Sequence, residues 1–351
     1  MAWTGDLEEA RARMHSVRER MRAGGSELEI VWAANRVSMI DVYLGRYAEA
    51  RAAAAEAVQR AGQFGGKQLL ISAWNAEAEA AARCGDEVAA RAAAAASIGA
   101  TSDTGARQMT IPPTAALAFL EVSLGNYPAA LRVLEPLLAS FDPDHGVEIA
   151  VAGYLPDAIE ALVAVGRLDD AEPLIAALEE AGAQRGRPWS CAVGARGRAQ
   201  LCAARGDLDS ADRALQLARK HHKLLPMPFE AARTELLLGQ VQRRSRSRTA
   251  AAQTLASALD TFERIGSPLW AARARAELQR TRPGRGDGWE LSDAERHTAE
   301  LAAAGLSNRE IAAELFHSVK NVEANLTRAY RKLGIRSRTQ LSTRLAGELP
   351  K

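Results

Sequence analysis

The sequence predicts an all-α protein in two parts, a solenoid of helical hairpins followed by a small domain of four helices. Aromatic residues make up only 5% of the 351 residues, and runs of the β-branched and aromatic residues that favour strands are few. A short pattern recurs about every 40 residues through residues 1–280. Four serines suited to cap helix N-termini lie within residues 289–351.

Length and composition set the class of protein. A chain of 351 residues, with 25% charged and 47% apolar residues, is expected to fold as about two soluble domains. Its three cysteines are too few for a disulfide framework and suit a reducing cytosol. The first residues, MAWTGDLEEARARM, lack the apolar segment of a signal peptide, and no run of about 18 apolar residues could span a membrane. We therefore expect a cytoplasmic protein without a membrane partner.

Residues 1–280 carry an internal repeat. Five glycines follow one another at intervals of 40, 40, 41 and 40 residues, and they are Gly45, Gly85, Gly125, Gly166 and Gly206. Five positions after each glycine stands an alanine, and these are Ala50, Ala90, Ala130, Ala171 and Ala211. Two positions after four of the glycines stand Tyr47, Tyr127, Leu168 and Leu208. The next interval reaches Arg246 and Ala251, which predicts a degenerate sixth copy.

These residue types fit a helical hairpin. Glycine tolerates the left-handed conformation that ends a helix, and a small alanine lets the second helix approach the first closely. A hairpin of about 40 residues cannot bury its apolar face alone, so the copies are expected to stack into a solenoid. The order Gly-x-Tyr-x-x-Ala resembles the tetratricopeptide repeat (TPR), which is typically shorter. The resemblance implies a TPR-like sensor or interaction domain over residues 1–280 that binds on its concave face. Four tryptophans could line a groove but are expected to pack in the core between helices, namely Trp32, Trp74, Trp189 and Trp270.

A linker and four further helices follow the repeats. Residues 281–288, TRPGRGDG, hold three glycines and a proline and predict a flexible linker. Residues 289–351 predict helices at about 292–304, 307–315, 318–333 and 337–347. Capping boxes or a capping serine mark their N-termini at Ser292, Ser307, Ser318 and Ser337. Gly305 and Gly334 lie where helices should end.

Charge is concentrated in this second part. Residues 1–288 hold 35 residues of each sign, whereas residues 318–344 hold seven basic residues and one acid. A neutral body with a short basic patch is typical of a nucleic-acid-binding appendage. The second and third predicted helices, with a short turn between them, form a helix-turn-helix.

The third predicted helix has an apolar face and a polar face. The apolar stripe, which should face the core, consists of Val322, Leu326, Ala329 and Leu333. The outer face then carries Asn321, Asn325, Arg328 and Lys332. Asparagine can pair with adenine, and arginine or lysine can bind guanine or phosphate, so this face is a candidate DNA-reading surface.

Residues 290–345 closely resemble the LuxR-type DNA-binding domain, most specifically in the segments AAGLSNREIAAEL and YRKLGIRSRTQL. The resemblance implies that the third helix enters the major groove and that the fourth helix pairs two copies on an inverted repeat. Together with the outer face, it gives an expected DNA-contact set of Asn308, Arg309, Ser318, Lys320, Asn321, Glu323, Ala324, Asn325, Arg328, Arg331 and Lys332. It places on the dimer surface Leu341, Arg344 and Leu345.

Two positions of the third predicted helix depart from the family pattern, which usually has threonine in place of Asn321 and histidine in place of Asn325. The family's DNA target therefore does not transfer to this chain. The combination of repeats and DNA-binding domain also resembles the C-terminal part of the large ATP-binding, MalT-like LuxR regulators. The chain has no GxxxxGK[ST] phosphate loop, and Gly65-Gly66-Lys67-Gln68 is only a partial match. It is either a fragment of a longer regulator or a short regulator without ATP control.

These features favour a sequence-specific transcriptional regulator, expected to be an activator, that binds double-stranded DNA as a homodimer in the nucleoid and contacts RNA polymerase. Its repeats would bind a regulatory peptide, protein or small molecule. An alternative is an interaction scaffold whose C-terminal domain dimerises and binds DNA weakly, and the DNA affinity at physiological salt separates the two. No nucleophile–base pair, metal-ligand spacing or phosphate loop is recognisable, so we expect neither an enzyme nor a cofactor or metal site.

Overall fold

The computed structural model describes residues 7–24, 27–102, 107–143, 147, 149–281, 291, 293–315, 318–335 and 337–341. Within those ranges the chain contains helices and no β-strand, which confirms the predicted all-α class. The chain divides into two compact units, the N-terminal unit Met1–Thr281 and the C-terminal unit Arg282–Lys351. None of the helices described is long and apolar enough to cross a lipid bilayer.

The N-terminal unit contains fifteen α-helices in the part that is described. They are α1 (Leu7–Gly24), α2 (Glu27–Tyr43), α3 (Tyr47–Phe64), α4 (Lys67–Arg83), α5 (Glu87–Ser102), α6 (Ile111–Ser123), α7 (Tyr127–Ala139), α8 (Ile149–Ala152), α9 (Leu155–Ala164), α10 (Leu168–Arg185), α11 (Pro188–Ala204), α12 (Leu208–His222), α13 (Pro228–Arg244), α14 (Arg248–Arg264) and α15 (Pro268–Thr281). A short 3-10 turn, Arg107–Thr110, precedes α6.

The repeated glycines form the predicted turns. All five have a left-handed backbone, with φ between 72° and 87°. The N–H of the residue after each glycine donates to the carbonyl five residues earlier, at 2.8–3.0 Å, which satisfies a carbonyl that the helix end would leave unpaired. Arg246 adopts the same conformation at φ 63°, and the N–H of Ser247 donates to the Gln242 carbonyl at 2.9 Å. The predicted sixth turn is therefore confirmed, without a glycine.

The hairpins arrange their helices in two layers. The first helices form an inner layer in which each packs against the next, in the order α2, α4, α6, α9, α11, α13 and α15. The second helices form the outer layer, in which each packs against its own partner and against the first helix of the next hairpin. The alanine five residues after each turn is fully buried, including Ala251 of the sixth copy. Its small side chain permits the close approach of the two helices, as in TPR-like repeats.

The inner layer closes on itself, so the concave face is not an open groove. Ser267 Oγ donates to the Arg83 carbonyl at 3.3 Å, and Trp270 Nε1 donates to Ser123 Oγ at 2.8 Å. These pairs lie 184 and 147 positions apart in the chain. A Cβ added to Gly45 would lie 2.7 Å from Pro228 Cγ. The early turns thus touch the last hairpin directly.

Aromatic rings occupy the point of closure. Phe229 and Phe262 lie with their ring centroids 5.4 Å and 5.8 Å from that of Trp270, and Phe119 stacks on it at 6.3 Å. Trp270 and Trp189 are buried, as predicted, but Trp32 is 47% exposed, so the prediction that it is a core residue is wrong. The guanidinium of exposed Arg36, one helical turn away on α2, covers its ring at 5.6 Å.

A network of buried and partly buried ion pairs surrounds these rings. Arg233 donates to Asp157 at 2.8 Å and to Glu160 at 2.7 Å, and Glu160 also accepts from Arg273 at 2.7 Å. Burial alone would raise the pKa of the Glu160 carboxyl, but Arg273 and Arg233 together lower this pKa to about 2. The carboxylate therefore stays charged, and the network links α9 to α13 and α15.

Candidate nucleic-acid interface

The C-terminal unit contains α16 (Asp293–Ala303), α17 (Asn308–Glu314) and α18 (Val319–Leu333), followed by a 3-10 turn, Arg338–Gln340. Its core is formed by the buried side chains of Leu291, Ala299, Ala302, Ile311, Ala312, Val322, Leu326, Ala329, Leu333 and Leu341. The apolar stripe predicted for the third helix lies wholly within this core. It fixes which face of α18 is left exposed.

Serine caps begin the two helices of the helix-turn-helix. At α17 the N–H of Glu310 donates to Ser307 Oγ at 3.3 Å, and the N–H of Ser307 donates to Glu310 Oε2 at 2.6 Å, a complete capping box. Hydrogen bonds from the Ser307 side chain and backbone lower the pKa of Glu310. At α18, Ser318 Oγ accepts from the Asn321 N–H at 3.2 Å. Ser318, expected at the DNA, is exposed but uses its hydroxyl as a cap.

The segment after α18 differs from its prediction. Gly334 ends the helix at φ 67°, as expected, but the Ser337 side chain caps nothing and pairs with Thr339 Oγ1 at 2.9 Å. The predicted capping box at Ser337 is therefore wrong, since its hydroxyl is already bonded to a neighbour. Leu341, expected on a dimer surface, is fully buried in the core of the single chain, because the 3-10 turn directs it inward. Predicted Ser292, Arg344 and Leu345 lie outside the described residues.

The outer face of α18 presents most of the expected contact set to solvent. Its exposed members are Lys320, Asn321, Glu323, Ala324, Arg328 and Arg331, and Arg309 is exposed on α17. Among the described residues, no carboxylate lies within ion-pair distance of Lys320, Arg331 or Arg309. These three cations are available to a phosphate backbone, which binds such groups without regard to sequence.

Asn325 does not lie on the exposed face. Its side chain is 4% exposed, its Nδ2 donates to Thr298 Oγ1 on α16 at 3.4 Å, and its Oδ1 accepts from Arg328 at 2.5 Å. The prediction that Asn325 belongs to the outer face is therefore wrong. It stands three residues after Val322 and four before Ala329, and this spacing puts it beside the buried stripe.

Glu295 on α16 is a residue that the sequence reasoning missed. It is buried, and its carboxylate lies 2.5 Å from Lys332 Nζ and 3.3 Å from Arg328 Nε. Arg328 and Lys332, two cations of the expected contact set, are thus ion-paired with α16, the first helix of the unit. Its position four residues after Leu291 and four before Ala299 is the signal that marks it as inward-facing.

Asn308, expected at the DNA backbone, is engaged inside the unit. Its Oδ1 accepts from Arg338 Nη1 at 3.1 Å, and Arg338 also donates to the Leu306 carbonyl. Arg338 was not among the predicted site residues. It joins the 3-10 turn to the start of α17, so it fixes the position from which Arg309 extends.

Comparison with known proteins finds a family match within this unit and relatives that share one segment with the chain. Residues 290–345 match the GerE family, described as bacterial regulatory proteins of the luxR family. The chain is 46% identical over 85 residues to "Putative HTH-type transcriptional regulator Mb0914c" of Mycobacterium bovis and to "Putative HTH-type transcriptional regulator Rv0890c" of Mycobacterium tuberculosis. The matched segment covers 24% of this chain and only 9% of each relative.

Proposed function

Residues 290–345 form a LuxR-type helix-turn-helix domain, and from that premise we propose that the protein is a sequence-specific transcriptional regulator. Its C-terminal unit would bind double-stranded DNA, and its N-terminal unit would bind a regulatory partner or ligand. The observation that carries the proposal is the solvent-facing side of α18, where an asparagine and unpaired cations lie together on a well-capped helix.

The exposed residues divide into two roles. Asn321 lies in the first turn of α18, next to Lys320, where a recognition helix reaches base edges. Arg331, in the last turn of α18, and Arg309, in the first turn of α17, are placed for phosphates, which position a protein on the duplex. We assign base reading to Asn321 and backbone binding to the two arginines.

The proposal includes a dimer on DNA. The LuxR-type resemblance implies that the last helix pairs two copies on an inverted repeat, but Leu341 is buried in the core and does not lie on such a surface. We therefore assign the dimer surface to Arg344 and Leu345. We also propose that the protein acts at the nucleoid in the cytoplasm, activates transcription and contacts RNA polymerase.

Selection from a random duplex library tests the proposal. The full-length protein is incubated with the library at about 150 mM salt, which suppresses non-specific electrostatic binding, and the bound duplexes are sequenced. Enrichment of an inverted repeat is the expected result. A bound pool as random as the input would contradict sequence-specific binding.

The pairing of Arg328 and Lys332 with Glu295 favours a second candidate function, a dimerising scaffold that binds DNA weakly. Cations already neutralised by a carboxylate contribute less to phosphate binding. The two functions differ in affinity: non-specific binding at physiological salt has a Kd of about 10⁻⁴–10⁻⁶ M, and specific binding about 10⁻⁸–10⁻¹¹ M. Titration of one labelled duplex from the selection separates them.

A further inference from the structure

A cavity of about 240 Å³ lies inside the N-terminal unit, between helices of the inner layer and α8. Most of its wall is apolar, and it includes Phe119, Trp189, Met227 and Phe229. The apolar wall and modest size suit a small organic molecule, because ligand sites combine an apolar lining with a few polar groups.

Two of the three carboxylates in the cavity wall are already paired. Asp157 accepts from Arg233 at 2.8 Å, and Glu230 accepts from Arg196 at 2.6 Å. Arg196 and Arg233 are themselves buried and lie outside the lining of this cavity. Each pair joins a carboxylate to a guanidinium within the protein, so neither carboxylate adds net charge to the cavity.

The remaining charges in the wall are two arginines and one acid. Arg83 Nη2 lies 3.6 Å from Glu79 Oε1, longer than a hydrogen bond, and Arg83 Nε is buried with no hydrogen-bond partner in the described part of the chain. No carboxylate among the described residues lies within ion-pair distance of Arg36, whose guanidinium rests on Trp32. After pairing, the wall therefore retains the unused Nε donor of Arg83, whereas the guanidinium of Arg36 is exposed to solvent.

From the apolar wall and the unused donor of Arg83 we infer that the cavity binds a small monocarboxylate with an aromatic or branched aliphatic body. The carboxylate would accept hydrogen bonds from Arg83, and the apolar body would pack against Phe119 and Trp189. A buried, unpaired donor is costly, and an anion is the group that satisfies a guanidinium best.

The position of Arg83 links this site to the closure of the inner layer. Arg83 on α4 covers the rings of Phe119 at 4.0 Å and Phe229 at 5.0 Å, and its carbonyl accepts from Ser267. A ligand on its guanidinium would stabilise contacts between α4 and the last hairpins. The inference rests on the ligand-binding role proposed for the N-terminal unit and gives that ligand a chemical class.

Calorimetric titration of the full-length protein tests the site without DNA. The probes are sodium 3-phenylpropionate and sodium 4-methylpentanoate, with 3-phenylpropanamide, phenethylamine and L-phenylalanine as matched compounds. We expect the carboxylates to bind at least about tenfold tighter than the amide, since a hydrogen bond between charged groups is lost with the amide. Equal binding of the amide, or tighter binding of the amine or the amino acid, would overturn the assignment, as would failure of every carboxylate to bind at millimolar concentration.

Variants identify the residue responsible. Arg83→Gln should weaken carboxylate binding at least about tenfold, and Arg83→Lys should restore part of it. Arg273→Gln is the matched control: Arg273 covers Trp270 at 4.1 Å in the same aromatic cluster but does not line the cavity. It should lower Tm and leave the affinity unchanged. If Arg83→Gln binds carboxylates like the parent protein while folded, the assignment is wrong. The duplex selection is read separately, so failure of ligand binding leaves the DNA-binding proposal standing.

Discussion

Arginine serves different purposes in the two units. In the N-terminal unit the Arg233 side chain is 2% exposed and is held by two carboxylates from α9. In the C-terminal unit Arg331 faces solvent on α18, and the described residues place no carboxylate beside it. The number of basic residues therefore does not indicate a binding surface. What matters is whether neighbouring helices supply carboxylates that meet the guanidinium.

The physical reason lies in solvation. A buried charge must be matched by a partner, so removal of one member of a buried pair is costly. An exposed cation contributes little to folding, which leaves it free to bind a phosphate. Lys332 and Arg328 lie between these cases, because buried Glu295 holds both at the edge of an otherwise exposed face.

Substitution of Arg233 should have the largest effect. Arg233→Met leaves Asp157 buried without its partner and removes one of two arginines from Glu160. We expect a loss of about 3–5 kcal/mol in the free energy of unfolding, measured by urea denaturation of the full chain. Arg219→Ala is the control, because its pair with Glu235 is partly exposed and should contribute at most about 1 kcal/mol. Similar losses in both variants would contradict the distinction between buried and exposed arginines.

Two glycines of the same repeat position test the closure of the inner layer. Gly45→Ala should cost about 2–4 kcal/mol, because alanine is strained at φ 72° and its Cβ would meet Pro228. Gly206→Ala has the same backbone strain at φ 87° but open space around the Cβ, so about 1–2 kcal/mol is expected. Chemical denaturation measures both. Equal losses would show that the last hairpin does not press on the early turn.

A buried histidine makes the N-terminal unit sensitive to acid. Burial, aided by Arg196, lowers the pKa of His222 from 6.5 to about 3. Because the folded pKa is the lower one, the unfolded chain takes up the proton first, so stability is lost as the pH falls from 6.5 towards 3. Acidification from pH 6.5 to pH 5 should cost about 2 kcal/mol through this residue.

Thermal unfolding at several pH values measures this effect. His222→Gln should flatten the dependence between pH 6.5 and pH 5, relative to the parent protein. The neighbouring His221, whose pKa is also lowered but which is only half-buried, supplies the control His221→Gln. An unchanged pH dependence in His222→Gln would show that the buried imidazole is not the group responsible.

The sequence predicted the features that depend on local spacing. The turns at Gly45 and Arg246 follow from a repeat that each hairpin satisfies by itself, and the Ser307 capping box follows from four consecutive residues. Closure of the inner layer could not be predicted, because Trp270 and Ser123 meet across 147 positions. The pairing of Glu295 with Lys332 likewise depends on how two helices cross.

The wrong prediction for Asn325 has a different cause, because the spacing of residues in the sequence already indicated that this side chain is buried. The stripe that includes Val322 and Leu326 already implied a buried face about 100° wide, and Asn325, four residues before Ala329, lies at the edge of that face. The amide of Asn325 suits adenine, which favours an exposed position, but its place on the helix puts the side chain in the core.

The smallest predicted effect separates the two asparagines of α18. Asn321→Ala, at an exposed position, should reduce discrimination at one base pair by about tenfold, since a bidentate asparagine–adenine contact provides about 1–3 kcal/mol. Asn325→Ala should leave base preference nearly unchanged and lower stability by about 1 kcal/mol, because its bonds are to Thr298 and Arg328. Selection of duplexes with each variant, alongside thermal unfolding, measures both quantities. Relaxed specificity in Asn325→Ala with Asn321→Ala unaffected would show that α18 meets DNA through the side that faces α16.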